Sequence, residues 1–165
     1  MCGILFMAVR DEQSDMLVKF NESLSKLNNR GPDGHNVVVL QYQNYKIYMG
    51  FTRLAIRGLD NNGMQPFNFG KIHAICNGEI YNYDYLKEEY DIKVNSGSDC
   101  EIIPQLYDEL GRDYFELNNV MDAEFAMVLF DGYYGGIYAS RDRYGVRPLF
   151  YGRSDNIIMF SSEMK

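Results

Sequence analysis

The sequence predicts an α+β fold, with stacked sheets and helices packed outside them, and three observations carry that prediction. Strand-like patterning opens the chain, helix-like segments interrupt it, and the last third returns to strands. The 14 tyrosines and 10 phenylalanines fit sheet faces better than a thin helical bundle. The 165 residues, 46% apolar and 24% charged, suit one domain with its own core, and they contain no repeat, linker or low-complexity tract.

Each element follows from local pattern. Residues 2–9 read as a strand of small and branched apolar residues. Residues 14–28, starting at Ser14, read as an amphipathic helix with Met16, Leu17, Phe20, Leu24 and Leu27 on one face, and the turn cluster from Asn28 to Gly34 ends it. Residues 37–41 and 46–52 form a hairpin pair around Gln43-Asn44. Residues 72–76 read as a strand, followed by Asn77-Gly78 and a short helix over 83–90. Ser98 reads as the N-cap of a helix running toward Leu110, with Glu101 three positions on completing a capping box. Pro104, past the tolerated first turn, predicts a kink or a delayed start. Strands over 125–130, 137–141, 149–151 and 157–161 complete the chain, with Gly or Ser-Asp-Asn turns between them.

Composition excludes several classes. The net charge of −7 and the lack of any Lys/Arg run argue against a nucleic-acid surface. Cys2, Cys76 and Cys100 show no metal-ligand spacing and cannot all pair with one another, so no metal site is expected. The first ten residues lack a basic segment and a long apolar stretch, so no signal peptide is expected. No apolar run approaches the ~20 residues of a membrane span, and a reducing cytoplasm is the expected compartment.

The chemistry centres on Cys2. Once the initiator Met1 is removed, the chain begins with both a thiol and a free amine. The thiolate is the nucleophile, yet with a free-thiol pKa of ~8.5 only about 3% is ionised at pH 7. An α-amine of pKa about 7.7–8.0 is neutral in roughly a tenth to a sixth of molecules at that pH, and it can accept the thiol proton directly or through water. Only His35 and His73 are present as imidazoles, and neither falls in a recognisable catalytic pattern. The plainer alternative is that Cys2 is a buried strand residue.

Further segments bear on that choice. Met1-Cys2-Gly3-Ile4, Arg30-Gly31-Pro32-Asp33, Arg53-Leu54-Ala55-Ile56, Gly63-Met64-Gln65-Pro66, Asn77-Gly78-Glu79-Ile80-Tyr81-Asn82, Gly97-Ser98-Asp99-Cys100-Glu101 and Ser162-Glu163-Met164-Lys165 occur in this order. Together they resemble the N-terminal glutaminase domain, of class II glutamine amidotransferase type, of glutamine-hydrolysing asparagine synthetases. The resemblance implies a four-layer αββα sandwich of mostly antiparallel sheets, as in N-terminal-nucleophile hydrolases. It implies that Cys2 attacks the side-chain amide of L-glutamine, giving glutamate and ammonia. Asn77 and Gly78 would form the oxyanion hole through a side-chain amide and a backbone N–H, and Gly78 would let the backbone approach the substrate. Arg53 would hold the α-carboxylate as a planar fork facing a planar anion. Asp99, helped by Glu79, would take the α-ammonium, while Leu54, Ile56 and Arg57 would supply the substrate loop.

Each assignment has a plainer counterpart. A plain hairpin turn is the commoner meaning of an Asn-Gly pair such as Asn77-Gly78, Arg53 could be a solvated charge at a strand end, and Asp99 could simply favour a helix start. Cys76 and Cys100 are read as packing residues, and Arg141-Asp142 and Arg147-Pro148, which resemble a family segment, as structural. Relative to the family, residues 57–60 carry an extra residue, Asn29 replaces a histidine, Ala123 a glycine and Pro104 an aliphatic. Two other functions stay open: an amidotransferase serving another acceptor, and a catalytically silent binding or regulatory domain. An internal-cysteine triad amidotransferase is rejected, because Cys76 lacks the flanking glycines of a strand–helix elbow.

In the family a nucleotide-binding domain follows and activates aspartate with ATP. No G-x-x-x-x-G-K-[ST] segment occurs here. Residues 1–165 are therefore expected to be the glutaminase domain, incomplete at its C-terminal end. It should need no cofactor, since ATP and Mg would belong to an absent synthetase domain or partner subunit. A homodimer is also open.

Overall fold

The computed structural model describes residues 1–10, 15–56 and 61–164. Nine strands are described: β1 (Gly3–Arg10), β2 (Gly34–Tyr42), β3 (Tyr45–Arg53), β4 (Phe67–Phe69), β5 (Ile72–Ile80), β6 (Ala123–Asp131), β7 (Gly136–Arg141), β8 (Phe150–Arg153) and β9 (Ile157–Ser161). Four α-helices accompany them: α1 (Met16–Ser25), α2 (Tyr83–Glu89), α3 (Ile102–Glu109) and α4 (Tyr114–Val120). One sheet has the order β2-β3-β1-β9-β8 and the other β4-β5-β6-β7. Every strand pairing in them is antiparallel.

The predicted α+β sandwich is what the chain builds, in the four-layer arrangement of N-terminal-nucleophile hydrolases. Ile4, Phe6 and Ala8 of β1 face inward and meet Ile75, Ala126, Val128 and Phe130 of the second sheet. Leu5, Met7 and Val9 face outward and pack under Met16, Phe20 and Leu24 of α1. Because β1 is central in its sheet and covered on both faces, its sequence is a continuous apolar run rather than an alternation. On the far side, Cys76, Met127 and Leu129 meet Ile102, Ile103, Leu106 and Leu117 beneath α3 and α4. No described helix is long and apolar enough to cross a membrane.

Several local expectations need correction. The first helix is shorter than 14–28, and Leu17 is 44% exposed while Met16, Phe20, Leu24 and Leu27 are buried. Leu17 lies about 100° around the axis from Met16, outside the stripe that the i, i+4, i+8 row buries. Ser14, its expected start, lies outside the described residues. Asn77-Gly78 does not follow a strand but lies within β5, paired to Ala126 and Phe125 of β6. The capping box at Ser98 does not form. Glu101 instead reaches back to accept from the N–H groups of Asn95 (2.8 Å) and Ser96 (2.7 Å), pinning that loop. A 3-10 turn over Asp99–Glu101 precedes α3, so Pro104 falls in the first turn of the α-helix, the delayed start expected of it. Neither β4 nor α4 was predicted. The first has three residues, and the second carries two asparagines in seven. Asp113 caps α4 by accepting from Phe115 and Glu116 N–H, and the spacing Asp113…Glu116 is a signal that could have found it.

Candidate active site

The start of β1, the end of β3, the middle of β5 and the 3-10 turn before α3 converge on one small pocket of about 100 Å³. Its walls include Cys2, Arg53, Leu54, Ile56, Asn77, Gly78, Glu79 and Asp99, residues spread over almost a hundred positions of sequence. Arg57 lies, with residues 58–60, outside the described residues. A larger concavity of about 790 Å³ occupies the outer face of β1, β9 and β8, but its floor is Leu5, Met7 and Met159 and it holds none of these residues. Neither histidine lines the smaller pocket.

Cys2 is held from several sides. The Leu54 N–H donates to its Sγ at 3.3 Å, and the thiol faces the Leu54 carbonyl at 3.6 Å. The Arg30 Nε donates to the Cys2 carbonyl at 2.9 Å, and Arg30 also pairs with Glu163 at 3.4 Å. Ser162 Oγ accepts from Ile4 N–H at 3.0 Å, so the Ser162-Glu163 segment braces the first strand. Burial pushes the Cys2 thiol above its ordinary value, with the Leu54 N–H pulling the other way. A thiol in that position needs a base to ionise it. Cys76 and Cys100 are buried at 2% and 3% exposure in the helix-side core, as the packing reading expects. The neighbouring Cys76 thiol and burial raise Cys100 well above its ordinary value, keeping it protonated.

The Arg30-Gly31-Pro32-Asp33 motif braces the end of β3. A Cβ on Gly31 would sit 2.2 Å from the Thr52 carbonyl carbon, so only glycine fits against that strand. The Asp33 N–H donates to the Arg53 carbonyl at 2.9 Å, and its carboxylate accepts from Ala55 N–H at 2.8 Å. Arg53 itself is only 6% exposed, which removes the reading of a solvated strand-end charge.

Asn77 is 2% exposed, and its Nδ2 is a buried donor with no hydrogen-bond partner among the described residues. Such an orphan typically costs about 1–3 kcal/mol unless a ligand accepts from it. The mid-strand position also removes the hairpin-turn reading of Asn77-Gly78. A Cβ on Gly78 would lie 2.5 Å from the Glu124 carbonyl oxygen, so β6 demands glycine there independently of any substrate. Asp99 is 6% exposed, and its Oδ2 accepts from Ile80 N–H at 2.7 Å. Glu79 and Ile56 are exposed at the rim.

Two pocket residues were missed by sequence reasoning. Arg147 lines the wall, pairs with Glu124, and keeps a buried Nε without a partner among the described residues. It is presented by a turn built on Asp142, whose buried carboxylate accepts from the N–H groups of Tyr144, Val146 and Arg147. Burial opposes ionisation of Asp142, but those donors prevail and hold its carboxyl below the usual range. Gln65 is the other, and its motif was read only as part of a resemblance.

A four-layer sandwich of two antiparallel sheets is the fold of the N-terminal-nucleophile hydrolases, and here Cys2 and the buried Asn77 amide line one pocket of it. The sequence matches the family described as "Glutamine amidotransferase domain" over residues 1–165, and the chain belongs to that family. It is 45% identical, over its whole length, to a probable asparagine synthetase (glutamine-hydrolyzing) of Acanthamoeba polyphaga mimivirus, and covers 30% of that protein. It is 35% identical, again over its whole length, to a putative asparagine synthetase (glutamine-hydrolyzing) of Methanocaldococcus jannaschii, covering 34% of it. It is also 33% identical over 93% of its length to Amidase chry2 of Gibberella zeae, covering 23% of that protein. The chain thus spans about a third or less of the length of these relatives.

Proposed function

We propose that this domain hydrolyses the side-chain amide of L-glutamine to glutamate and ammonia, with Cys2 as nucleophile. The observation that carries the reading is the buried Asn77 Nδ2, without a partner among the described residues, sharing one small pocket with a thiol, an arginine and a carboxylate. After removal of Met1, the α-amine of Cys2 takes the thiol proton, and the sulfur adds to the amide carbon. The developing oxyanion accepts from Asn77 Nδ2 and the Gly78 N–H, donors already fixed by β5. Collapse expels the amide nitrogen, which takes the amine's proton and leaves as ammonia. Water then attacks the thioester with the same amine as base, releasing glutamate and restoring the thiol. Each turnover consumes one glutamine and one water.

Arg53 takes the α-carboxylate, Asp99 with Glu79 the α-ammonium, and Leu54, Ile56 and Arg57 form the substrate loop. The ammonia serves asparagine synthesis from aspartate, carried out with ATP and Mg by a linked synthetase region, in the cytoplasm. The two relatives named asparagine synthetase support that acceptor, and an amidotransferase domain serving another acceptor is the second reading.

The test is to incubate the protein with glutamine, quantify glutamate and ammonia, and weigh the intact chain. Equal amounts of both products from protein lacking the Met1 mass are expected. Full activity in protein that retains Met1 contradicts the base assignment, and no glutamate from fully processed protein contradicts the reaction.

Substrate binding gives a separate expectation. Arg53→Ala removes a charge-assisted contact worth about 1.5–3 kcal/mol and should raise KM roughly 10- to 100-fold with little change in kcat. Asp99 also holds the Ile80 N–H, so Asp99→Asn, which keeps an acceptor, is the cleaner variant. It should likewise act on KM, and steady-state kinetics showing a fall in kcat alone would count against both assignments.

A further inference from the structure

The geometry points to Gln65 as a positioning residue for the oxyanion hole, an inference that rests on the glutaminase reading above. The β4–β5 register pairs Phe67 with Ala74 and Asn68 with His73, and extended backward it sets Gln65 opposite Cys76. At that position the main chain has already left the sheet. The Gln65 carbonyl instead accepts from Asn36 Nδ2, on β2 of the other sheet, at 3.1 Å. The side chain takes over the role of the missing strand. Gln65 Oε1 accepts from the Cys76 N–H at 2.6 Å, and Nε2 donates to the Cys76 carbonyl at 3.0 Å. These are the two bonds an antiparallel neighbour would exchange with Cys76, made by one carboxamide that is 4% exposed.

The consequence lies one and two residues further along β5. In an antiparallel strand the N–H and C=O groups of alternate residues leave the same edge, so Cys76, Gly78 and Ile80 share the edge that faces away from β6. Cys76 is held there by Gln65, and the Ile80 N–H is held by Asp99 at 2.7 Å. Between these clamps the Gly78 N–H leaves the edge where β4 no longer runs, beside the Asn77 amide. Gln65 therefore fixes one end of the segment whose donors receive the oxyanion, and it does so without contacting the reacting atoms.

Gln65→Met keeps the length and bulk of the side chain but neither donates to nor accepts from Cys76 as the carboxamide does. Misplacement of donors on the scale of an ångström costs about 100-fold, so kcat for ammonia release should fall roughly 10- to 100-fold with KM for glutamine nearly unchanged. A chloroketone analogue of glutamine, followed by intact mass, counts the Cys2 sites able to react and removes any unfolded fraction from the comparison. Combined with Asn77→Ala, the same substitution should cost at least about threefold less than it does alone, because one of the two donors it positions is gone. Amide exchange adds a readout independent of turnover: the Cys76 N–H should exchange at least about 10-fold faster in Gln65→Met than in the parent. A kcat per reactive site within about twofold of the parent overturns the proposal, as does an unchanged Cys76 exchange rate or a fully additive double variant. If Gln65→Met does not fold, Gln65→Leu, which likewise makes neither bond to Cys76, is measured by the same criteria. A parent protein that releases no ammonia defeats the glutaminase reading itself, a result distinct from an active parent with an indifferent Gln65.

Discussion

Cys2→Ala lowers glutamine hydrolysis roughly 10⁴-fold or more while leaving the domain folded. Removal of a covalent nucleophile leaves only the contributions of binding and the oxyanion hole, and losses of that order or larger are the rule. The other two thiols border the same pocket but are poorly placed to substitute: Cys76 and Cys100 are 2% and 3% exposed beneath α3, and Cys100 is held protonated by its neighbour and by burial. The structural cost is small, because the β1 core begins at Ile4 and the Arg30 contact is made to the Cys2 carbonyl, which alanine retains. Only the contacts between Sγ and Leu54 are lost, and a change in stability below about 1 kcal/mol is expected for such a site. Ammonia release and thermal unfolding measured on the same preparation check both halves. Residual activity above about a hundredth of the parent's would identify another nucleophile.

What the sequence made legible depended on how local the signal was. β1 announced itself because burial on both faces produces an uninterrupted apolar run, and the β2–β3 hairpin was marked by its turn at Gln43-Asn44. Asn77-Gly78 was misplaced at the end of its strand because asparagine and glycine are poor strand residues and good turn residues. The pairing to Ala126 and Phe125 that keeps them in β5 comes from residues almost fifty positions away. Arg53 and Asp99 were named through resemblance, and their burial could not be read from their neighbours in sequence. Gln65 was least legible of all, since its role exists only as a register position opposite Cys76 after its own main chain has turned aside. Arg147 reads as merely structural in sequence for a similar reason, being carried to the pocket wall by a turn organised around Asp142.

Asn77→Ala should lower kcat by about 10²–10³-fold and leave KM for glutamine nearly unchanged, the loss typical of one oxyanion-hole donor. The split follows from when the donor acts. The substrate's amide oxygen carries little charge on binding and a full charge in the tetrahedral intermediate, so a hydrogen bond to it strengthens as the reaction proceeds. The structure adds a second, less common expectation. In the folded chain the Asn77 Nδ2 is buried and makes no hydrogen bond to any described residue, so it is a group whose desolvation the fold tolerates rather than uses. Its deletion removes an orphan donor costing about 1–3 kcal/mol, which offsets the packing lost with the side chain. Stability should therefore not fall in step with turnover, the pattern expected when a strained or unsatisfied site is kept for chemistry. Asn77→Asp separates the two effects further. It keeps the shape of the side chain but places an acceptor where the donor stood, so turnover should fall at least as far as in Asn77→Ala. Steady-state kinetics and chemical denaturation of both variants decide the matter: a rise in KM alone, or a loss of stability that tracks the loss of kcat, would mean that Asn77 supports the strand and not the transition state.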